Sequence, residues 1–352
     1  MPDRTVSNYS GFDFRALWKG RRTVTEVERA LVDRELRAAE PTRVLEVGTG
    51  FGRLSATVSG LAEELVVSDY DRAAIERLEW PPGVRPPALR VALNLYHLPF
   101  RDGSFGAATL VRVHHHLGDP RAALRELARV LRPRGRLLIS YNPRPSIGTL
   151  VHDLRHRIVG SPSDGAPPVS WARGRTVHRG SGPFPVYVSD RREFRSDALA
   201  VGFRIEHELG SGFEEFALLR RWVPTRFFLA AAGPIGRAPG APTRWALLVR
   251  SGEPDRGAGH LNPLWECLAC PRCGQPLRWA VGDLSGSCGA CGFRGERRGD
   301  LLDLRYRPDG VPVAIAAGDA VAGTDVPDPV EEPRPARGDP SGRTGVVDDA
   351  PR

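Results

Sequence analysis

The sequence predicts an α/β fold, in which a mainly parallel sheet carries helices on both faces. Three observations indicate this class. Short apolar runs alternate with helical patterns between residues 43 and 142, a glycine-rich turn joins the first strand pattern to its helix, and two further strand patterns follow near 203 and 244. Strands that alternate with helices are typical of βαβ units, whose strands lie parallel.

The predicted elements follow one another in a regular order. Strands are expected at "RVLEVG", "ELVVSD", "GAATLVRV" and "GRLLISYN", with helices at "RLSATVSGLA", "DRAAIERLE" and "PRAALRELARVLR" between them. The helix "DRREFRSDALAVG" then precedes the strands "FRIEHELGSG" and "RWALLVRSG". Near the N-terminus, "TEVERALVDRELRAAE" predicts a helix in which Thr25 and Glu28 have the spacing of a capping box.

Composition shifts divide the chain into segments, each of which is a prediction. These are an N-terminal helical cap at 1–40, the α/β domain at 41–252 with insertions or lids at 143–190 and 211–243, a linker at 253–260 that separates two cores, a cysteine-rich module at 261–307, and a largely disordered tail at 308–352. The tail is rich in Ala, Gly, Asp and Pro and has few large apolar side chains, which is typical of disorder.

Charge and hydropathy restrict the function classes. The net charge of +8 is compatible with a nucleic-acid partner, although nearly all basic residues are arginines, with Lys19 the only lysine, which indicates a general compositional bias. No apolar run is long enough to span a bilayer, and the first residues lack a signal-peptide core. We therefore expect a soluble cytoplasmic protein with no membrane partner.

The stretch "VLEVGTGFGRLS" carries the strongest chemical signal. Gly48, Gly50 and Gly52 alternate with other residues after the first strand, but Arg53 stands where a dinucleotide fingerprint needs its last glycine. This argues against a nicotinamide or flavin enzyme. Glu46, two residues before the turn, would repel a pyrophosphate and attract a cation.

A second acid follows on the next strand. Asp69 ends "VVSD" about 20 residues beyond the turn, where a carboxylate can accept hydrogen bonds from both ribose hydroxyls. Asp71 is the alternative at this position. Together, the glycine turn, the acid before it and the acid that can bind the ribose fit a nucleoside with a cationic amino-acid side chain. S-adenosylmethionine is such a nucleoside.

Residues 43–142 resemble the class I S-adenosylmethionine-dependent methyltransferases. "VLEVGTGFGR" matches their Glu/Asp-x-Gly-x-Gly-x-Gly motif, "NLYHLPFRDGSFGAATLV" resembles their third motif, and "ALRELARVLRPRGRLLIS" resembles the helix and strand that follow. The resemblance implies a Rossmann-like fold and an enzyme that transfers a methyl group. The expected cofactor-binding residues are Glu46, Gly48, Gly50, Gly52, Asp69, Asn94, Leu95 and Arg112.

Three positions depart from the family's usual pattern. Asn94 replaces the common acid that meets the adenine amino group, and an amide oxygen can accept the same hydrogen bond. Gly106 replaces the usual Asp after "SF", and Arg134 replaces the first Gly of a Pro-Gly-Gly turn.

The end of the predicted strand "GAATLVRV", in the stretch "VRVHHHLGD", is where the methyl group is expected. A neutral imidazole of His114, His115 or His116 could take a proton from an acceptor there. The alternative is that these histidines only supply polarity at a helix start. They cannot easily converge on one metal ion, because neighbouring side chains point apart.

Five cysteines lie in 261–307, and two Cys-x-x-Cys pairs separated by 14 residues predict tetrahedral zinc. A glycine follows the second cysteine of the pairs that end at Cys273 and Cys291, whereas a proline follows Cys270. This selects one set of ligands and leaves Cys267 as a small core residue. The predicted ligands are Cys270, Cys273, Cys288 and Cys291. Redox chemistry is the rival interpretation.

The module also resembles the small zinc-ribbon family that activates RNA and release-factor methyltransferases as a separate subunit. The features that match are "LACPRCGQPL", "CGACGFRG" and "GDLLDLR". The resemblance implies docking of the ribbon, here in cis, or presentation of substrate.

Two functions are compatible with the sequence. The first is a methyltransferase whose acceptor is a small metabolite, RNA or a translation protein. The second is a non-catalytic S-adenosylmethionine-binding regulator or scaffold whose ribbon docks a partner.

Overall fold

The fold comes from a computed structural model of the chain. It describes residues 6–8, 14–39, 41–144, 146–147, 171–172, 175–179, 185–232, 240–253, 262–279, 284–309 and 313–315. Most of the predicted insertion at 143–190 and of the predicted disordered tail lies outside these residues. Residues 313–315 of that tail form a strand.

Helices alternate with strands along the described chain. The strands are β1 (Val6–Asn8), β2 (Arg43–Val47), β3 (Glu64–Asp69), β4 (Leu89–Ala92), β5 (Phe105–Leu110), β6 (Leu131–Tyr141), β7 (Pro143–Arg144), β8 (Trp171–Ala172), β9 (Arg175–Arg179), β10 (Pro185–Asp190), β11 (Phe203–Ser211), β12 (Thr243–Arg250), β13 (Ser285–Ser287), β14 (Arg294–Arg298), β15 (Leu301–Asp303) and β16 (Val313–Ile315). The helices are α1 (Phe14–Leu17), α2 (Arg22–Arg37), α3 (Ser55–Ser59), α4 (Arg72–Glu76), α5 (Pro120–Val130), α6 (Arg191–Ala200), α7 (Ala217–Trp222) and α8 (Thr225–Ala231).

The main sheet confirms the predicted fold class. Its order is β11-β12-β6-β5-β2-β3-β4-β15-β14-β13 within the described chain. Strands β6, β5, β2, β3 and β4 pair in parallel, whereas β12 lies antiparallel between β6 and β11. The order reverses between β2 and β5, which is where open α/β sheets form a ligand crevice at the carboxyl ends of their strands.

The central strands of the sheet are buried on both faces and consist mainly of apolar residues. In β2, Leu45 belongs to one hydrophobic cluster and Val44 to another, as expected when successive side chains point to opposite faces. Helix α2 places Val27 and Leu31 in the second cluster.

Helix α2 begins earlier than the sequence suggests, so the predicted capping box is wrong. The helix starts at Arg22, its N-cap is Arg21, and no side chain caps it. Thr25 therefore lies inside the helix. Glu28 is completely buried and takes part in the ion-pair network described below.

The cysteine-rich module continues the main sheet. Its strand β15 pairs in parallel with β4, with Leu302 opposite Val91. Leu302, Leu304 and Leu268 belong to the same hydrophobic cluster as Val91. The expectation of two cores separated by a linker is therefore wrong, because the module and the α/β domain share one core.

Candidate functional site

A cavity of about 300 Å³ lies at the carboxyl ends of β2, β3 and β5. It occupies the crevice that the strand order predicts. Seven of the predicted site residues line it, namely Glu46, Gly48, Gly50, Asp69, Arg112, His115 and His116. The other four that concern cofactor or catalysis are not among its lining residues, and these are Gly52, Asn94, Leu95 and His114.

The glycine turn brings the backbone to the cavity wall. Gly50 has a φ of 55°, and its amide donates a hydrogen bond of 2.9 Å to the Asp69 carboxylate. A Cβ atom built on Gly50 would meet no heavy atom within 4 Å, so it would project into open space. At Gly48 and Gly52, by contrast, an added Cβ would collide with Val113 and Leu78. Only Gly50 therefore keeps space free for a ligand.

Two buried acids lie on the cavity wall. Glu46 is 6% exposed, and one of its carboxylate oxygens has no hydrogen-bond partner among the described residues. Burial raises the pKa of Glu46 to about 7, against the opposing effects of Ser55 and Arg53. Burial also raises the pKa of Asp69, although backbone amides of Asp71 and Gly50 oppose it. Such a pair favours a positively charged ligand, because a cation would stabilise both carboxylates.

Two arginines and a tryptophan close the cavity on the side of the N-terminal segment. Glu28 forms ion pairs with Arg53 and with Arg112, whose guanidinium also lies 2.7 Å from Glu215. The Arg53 guanidinium stacks 3.7 Å from the centre of the Trp18 ring. Sequence reasoning predicted Arg112 but missed the rest of this wall, which also includes Phe14, Leu17 and Arg21, because its contacts join segments distant in sequence. The only other signal was Arg53, which interrupts the dinucleotide fingerprint.

The three histidines have different surroundings. His114 is 1% exposed and packs against Phe194 and Tyr141, which indicates a structural role. His115 and His116 line the cavity, with ring centres 4.1 Å apart. Burial, reinforced by His116 and Arg112, holds the pKa of His115 well below its ordinary value. His115 is therefore neutral at pH 7, and the same surroundings make its imidazole a weaker base than a free one.

Asn94 connects the α/β domain to the cysteine-rich module. Its amide nitrogen donates to the Tyr306 carbonyl at 2.9 Å, and its amide oxygen accepts from the Tyr96 amide at 3.0 Å. Leu95 is buried in the core beside it. Arg305 donates to the Tyr70 carbonyl and lies over the Tyr70 ring. The module thus supports the loop that follows Asp69.

Four thiols converge in the module, and they are the four that the glycine positions select. The Sγ atoms of Cys270, Cys273, Cys288 and Cys291 all lie within 4.8 Å of one another. Tetrahedral zinc with Zn–S bonds of about 2.3 Å needs sulfurs about 3.8 Å apart, so this donor set fits the ion.

Two equivalent turns hold these thiols. The amide of Gly274 donates to the Cys270 carbonyl at 2.8 Å, and the amide of Gly292 donates to the Cys288 carbonyl at 3.0 Å. Both glycines have a φ near 75°, as tight turns after Cys-x-x-Cys require. Cys267 lies outside the cluster, buried, with its sulfur 3.1 Å from the Arg43 guanidinium.

Known proteins resemble the α/β part of the chain. Residues 45–139 match the family model of a methyltransferase domain. This part of the chain has a Rossmann-like α/β fold, with helices on both faces of the sheet.

The two relatives named next match this chain over less than half of their own length. A demethylmenaquinone methyltransferase of Renibacterium salmoninarum is 30% identical over 120 residues, which are 34% of this chain and 49% of the relative. The Mycobacterium tuberculosis protein named "Probable S-adenosylmethionine-dependent methyltransferase Rv3030" is 35% identical over 98 residues, which are 28% of this chain and 34% of the relative. The solved structure of YcgJ from Bacillus subtilis is 20% identical, with a TM-score of 0.40, and covers 62% of this chain and 96% of its own.

Among the described residues, no helix has both the length and the apolar character needed to cross a membrane.

Proposed function

We propose that this protein is an S-adenosylmethionine-dependent methyltransferase and that the cofactor binds in the 300 Å³ cavity. The observation that carries the proposal is the meeting of Glu46, Gly50 and Asp69 on one wall of a cavity that the sheet places at its ligand crevice. The volume is within the range of small-molecule sites. The methyltransferase match over residues 45–139 supports the same conclusion.

Each wall residue has a defined role in this proposal. The Asp69 carboxylate accepts hydrogen bonds from the ribose hydroxyls while it keeps the bond from the Gly50 amide. The Glu46 carboxylate, which has an unsatisfied oxygen, meets the cationic side arm. Gly48 and Gly52 shape the turn, because both have a positive φ and an added Cβ at either would collide with Val113 or Leu78. Asn94 and Leu95 stay predictions for the adenine side.

The cofactor, when bound, supplies an activated methyl group on a sulfonium. The protein's contribution is then positioning, because an in-line displacement with a good leaving group needs little other assistance. His115 and His116 line the same cavity, and we propose that one of them accepts the proton that an acceptor hydroxyl or amine loses. Arg112 forms ion pairs with Glu28 and Glu215, and these pairs fix its guanidinium in the cavity wall between the histidines and the N-terminal segment.

We also propose that Cys270, Cys273, Cys288 and Cys291 hold a structural zinc ion. The support is the fit of four converging thiols to tetrahedral coordination. A module this small has little core of its own, so metal binding contributes to its folding. Its contacts with Asn94 and Tyr70 link that stability to the cofactor side of the domain.

The acceptor can be found with a labelled methyl donor. Purified protein is incubated with S-adenosylmethionine labelled on its methyl group and with cell extract separated into RNA, protein and small molecules. Label in one fraction identifies the acceptor class among the small metabolite, RNA and translation-protein candidates. Tight cofactor binding without label in any fraction would instead support a non-catalytic regulator or scaffold.

A further inference from the structure

A second cleft, of about 780 Å³, lies at the opposite edge of the sheet from the cofactor cavity. Gly106 near the start of β5 and the first residues of β6 line it, together with parts of β11 and β12. The amino-terminal ends of parallel strands form this edge, so the cleft is separated from the cavity by the length of the strands. Its charged lining residues are Arg132, Arg134, Arg136, Arg204, Arg250 and Glu206.

The positive charge of this cleft is mostly uncompensated. Five guanidinium groups face a single carboxylate among the charged lining residues, which leaves four net positive charges. Glu206 lies 3.6 Å from Arg136, and Arg250 donates only to backbone carbonyls. Within the described chain, Arg132, Arg134 and Arg204 form no ion pair with a carboxylate.

Several arginines elsewhere in the same domain are paired with carboxylates. Arg43, Arg53, Arg112 and Arg129 each contact at least one carboxylate. Arg85, outside the cleft, donates only to backbone carbonyls within the described chain, so the cleft is distinguished by the clustering of five guanidinium groups around one carboxylate. Clustered guanidinium groups repel one another unless an anion lies between them.

Two of the sequence's departures from the methyltransferase pattern meet in this cleft. Gly106 stands where an Asp is usual, and a Cβ atom there would lie only 3.1 Å from an Arg132 guanidinium nitrogen. The missing side chain both removes a negative charge and makes room for Arg132. Arg134 stands where a Gly is usual and keeps the left-handed backbone, with a φ of 63°. A non-glycine residue is strained in this conformation, which indicates that the Arg134 side chain has a function.

We propose that this cleft binds the sugar-phosphate backbone of a single nucleic-acid strand. Guanidinium groups pair with phosphate oxygens through two parallel hydrogen bonds, which suits arginine to this ligand. Arg204 and Arg136 both face Val249 across neighbouring strands, so their side chains share one face of the sheet. They are two strand spacings, about 10 Å, apart. Separate arginines can therefore contact separate phosphates.

The lining favours a backbone over a free nucleotide. No aromatic side chain is among the described residues that line the cleft, so none of them offers a ring on which a base could stack. Four net charges across an open cleft are also more than one phosphate group neutralises, whereas a strand offers one negative charge at each successive phosphate. The contact is therefore independent of base sequence.

The test is fluorescence anisotropy with a labelled, unstructured RNA of about 12 nucleotides at several KCl concentrations, using the full-length protein. Arg134→Gly and Arg204→Gln should each weaken binding several-fold. Each should also reduce the slope of log affinity against log salt by about 0.7 for every phosphate that the variant no longer neutralises. Arg125→Gln, which changes an exposed arginine of α5 outside the cleft, is the matched control and should bind as the wild type does.

Arg134→Gly separates a binding role from a structural one. Glycine adopts the left-handed backbone without strain, so this variant should melt no lower than the wild type while it binds RNA less tightly. Equal RNA affinity in wild type, Arg134→Gly and Arg204→Gln would overturn the proposal. A wild-type protein that binds pyrophosphate in this cleft but no RNA would overturn it too, in favour of a free-phosphate site. Affinity for S-adenosylmethionine, measured alongside, should not change in either variant, which keeps this test separate from the proposed function.

Discussion

Replacement of Glu46 by Gln tests the electrostatics of the cofactor cavity. The folded protein raises the pKa of this carboxyl from 4.5 to about 7, mainly through burial. The folded state therefore holds a proton that the unfolded state releases between these values. Stability from this proton is fully present below pH 4.5 and is lost as the pH rises to about 7.

The size of the effect follows from the two pKa values. A difference from 4.5 to about 7, at about 1.4 kcal/mol per pH unit, corresponds to roughly 3 kcal/mol in the free energy of unfolding. Because Gln resembles the protonated acid, Glu46→Gln should match the wild type near pH 4.5. Above pH 7 it should be more stable by an amount of this order. Chemical denaturation across the range from about pH 4.5 to about pH 8 measures the difference.

Cofactor binding adds a second readout. A cationic ligand stabilises the ionised form of Glu46, so binding at about pH 6.5 should release part of a proton. Calorimetry in two buffers of different ionisation enthalpy measures this release, which should disappear in Glu46→Gln. Glu214 is the matched control, because burial raises its pKa also to about 7 but it does not line the cavity. Glu214→Gln should gain stability at high pH and keep the proton release.

Two results would refute this reasoning. A stability difference between wild type and Glu46→Gln that stays constant across the same pH range would show that burial does not shift this pKa. A pH-dependent difference without any proton release on binding would show that the cationic arm does not meet Glu46.

Two further predictions concern the glycine turn and the thiols. Gly50→Ala and Gly83→Ala each place a Cβ at positive φ in open space, so both should lose about 1 kcal/mol of stability. Only Gly50→Ala should also lose affinity for S-adenosylmethionine in calorimetry. Equal affinities of Gly50→Ala and Gly83→Ala for S-adenosylmethionine would contradict the role of the turn. Cys273→Ser should lose zinc by metal analysis and, because the module shares the domain core, should lower the melting temperature of the whole domain. Cys267→Ser should keep its zinc, and the reverse pattern would assign the first ligand pair to Cys267 and Cys270.

The sequence predicted the elements whose pattern is local. Strands β2, β3, β5 and β6 were predicted from their short apolar runs, which are apolar because both faces of each strand are largely buried. The helices between them were predicted from the patterns that separate these runs. Strand β4 was missed. Its four residues, Leu89–Ala92, follow a proline-rich stretch and form a strand between β3 and β15. Pairing with a strand so far along the chain leaves no local signal.

In the candidate site, too, the sequence predicted features that depend on local spacing and missed contacts between distant segments. Cysteine and glycine spacing selected the four thiols, since each turn is local. The roles of Glu28 and Asn94 depend on residues far along the chain. Glu28 pairs with Arg53 and Arg112 because its helix packs on the sheet, and the Asn94 amide meets Tyr306 because the module extends that sheet. Spacing within one segment cannot show such contacts.

The central claim is that the cavity binds S-adenosylmethionine with Asp69 as the ribose acceptor. The measurement that tests it most directly is calorimetric titration of the full-length protein with S-adenosylmethionine and, separately, with NADH. The account predicts one S-adenosylmethionine site per chain, no NADH binding, and an affinity at least about tenfold lower in Asp69→Ala, which corresponds to a loss of about 1.5 to 3 kcal/mol. Asp33→Asn, at a partly exposed position of α2 outside the cavity, should bind as the wild type does. Binding of NADH without S-adenosylmethionine, or full affinity in Asp69→Ala, would contradict the account.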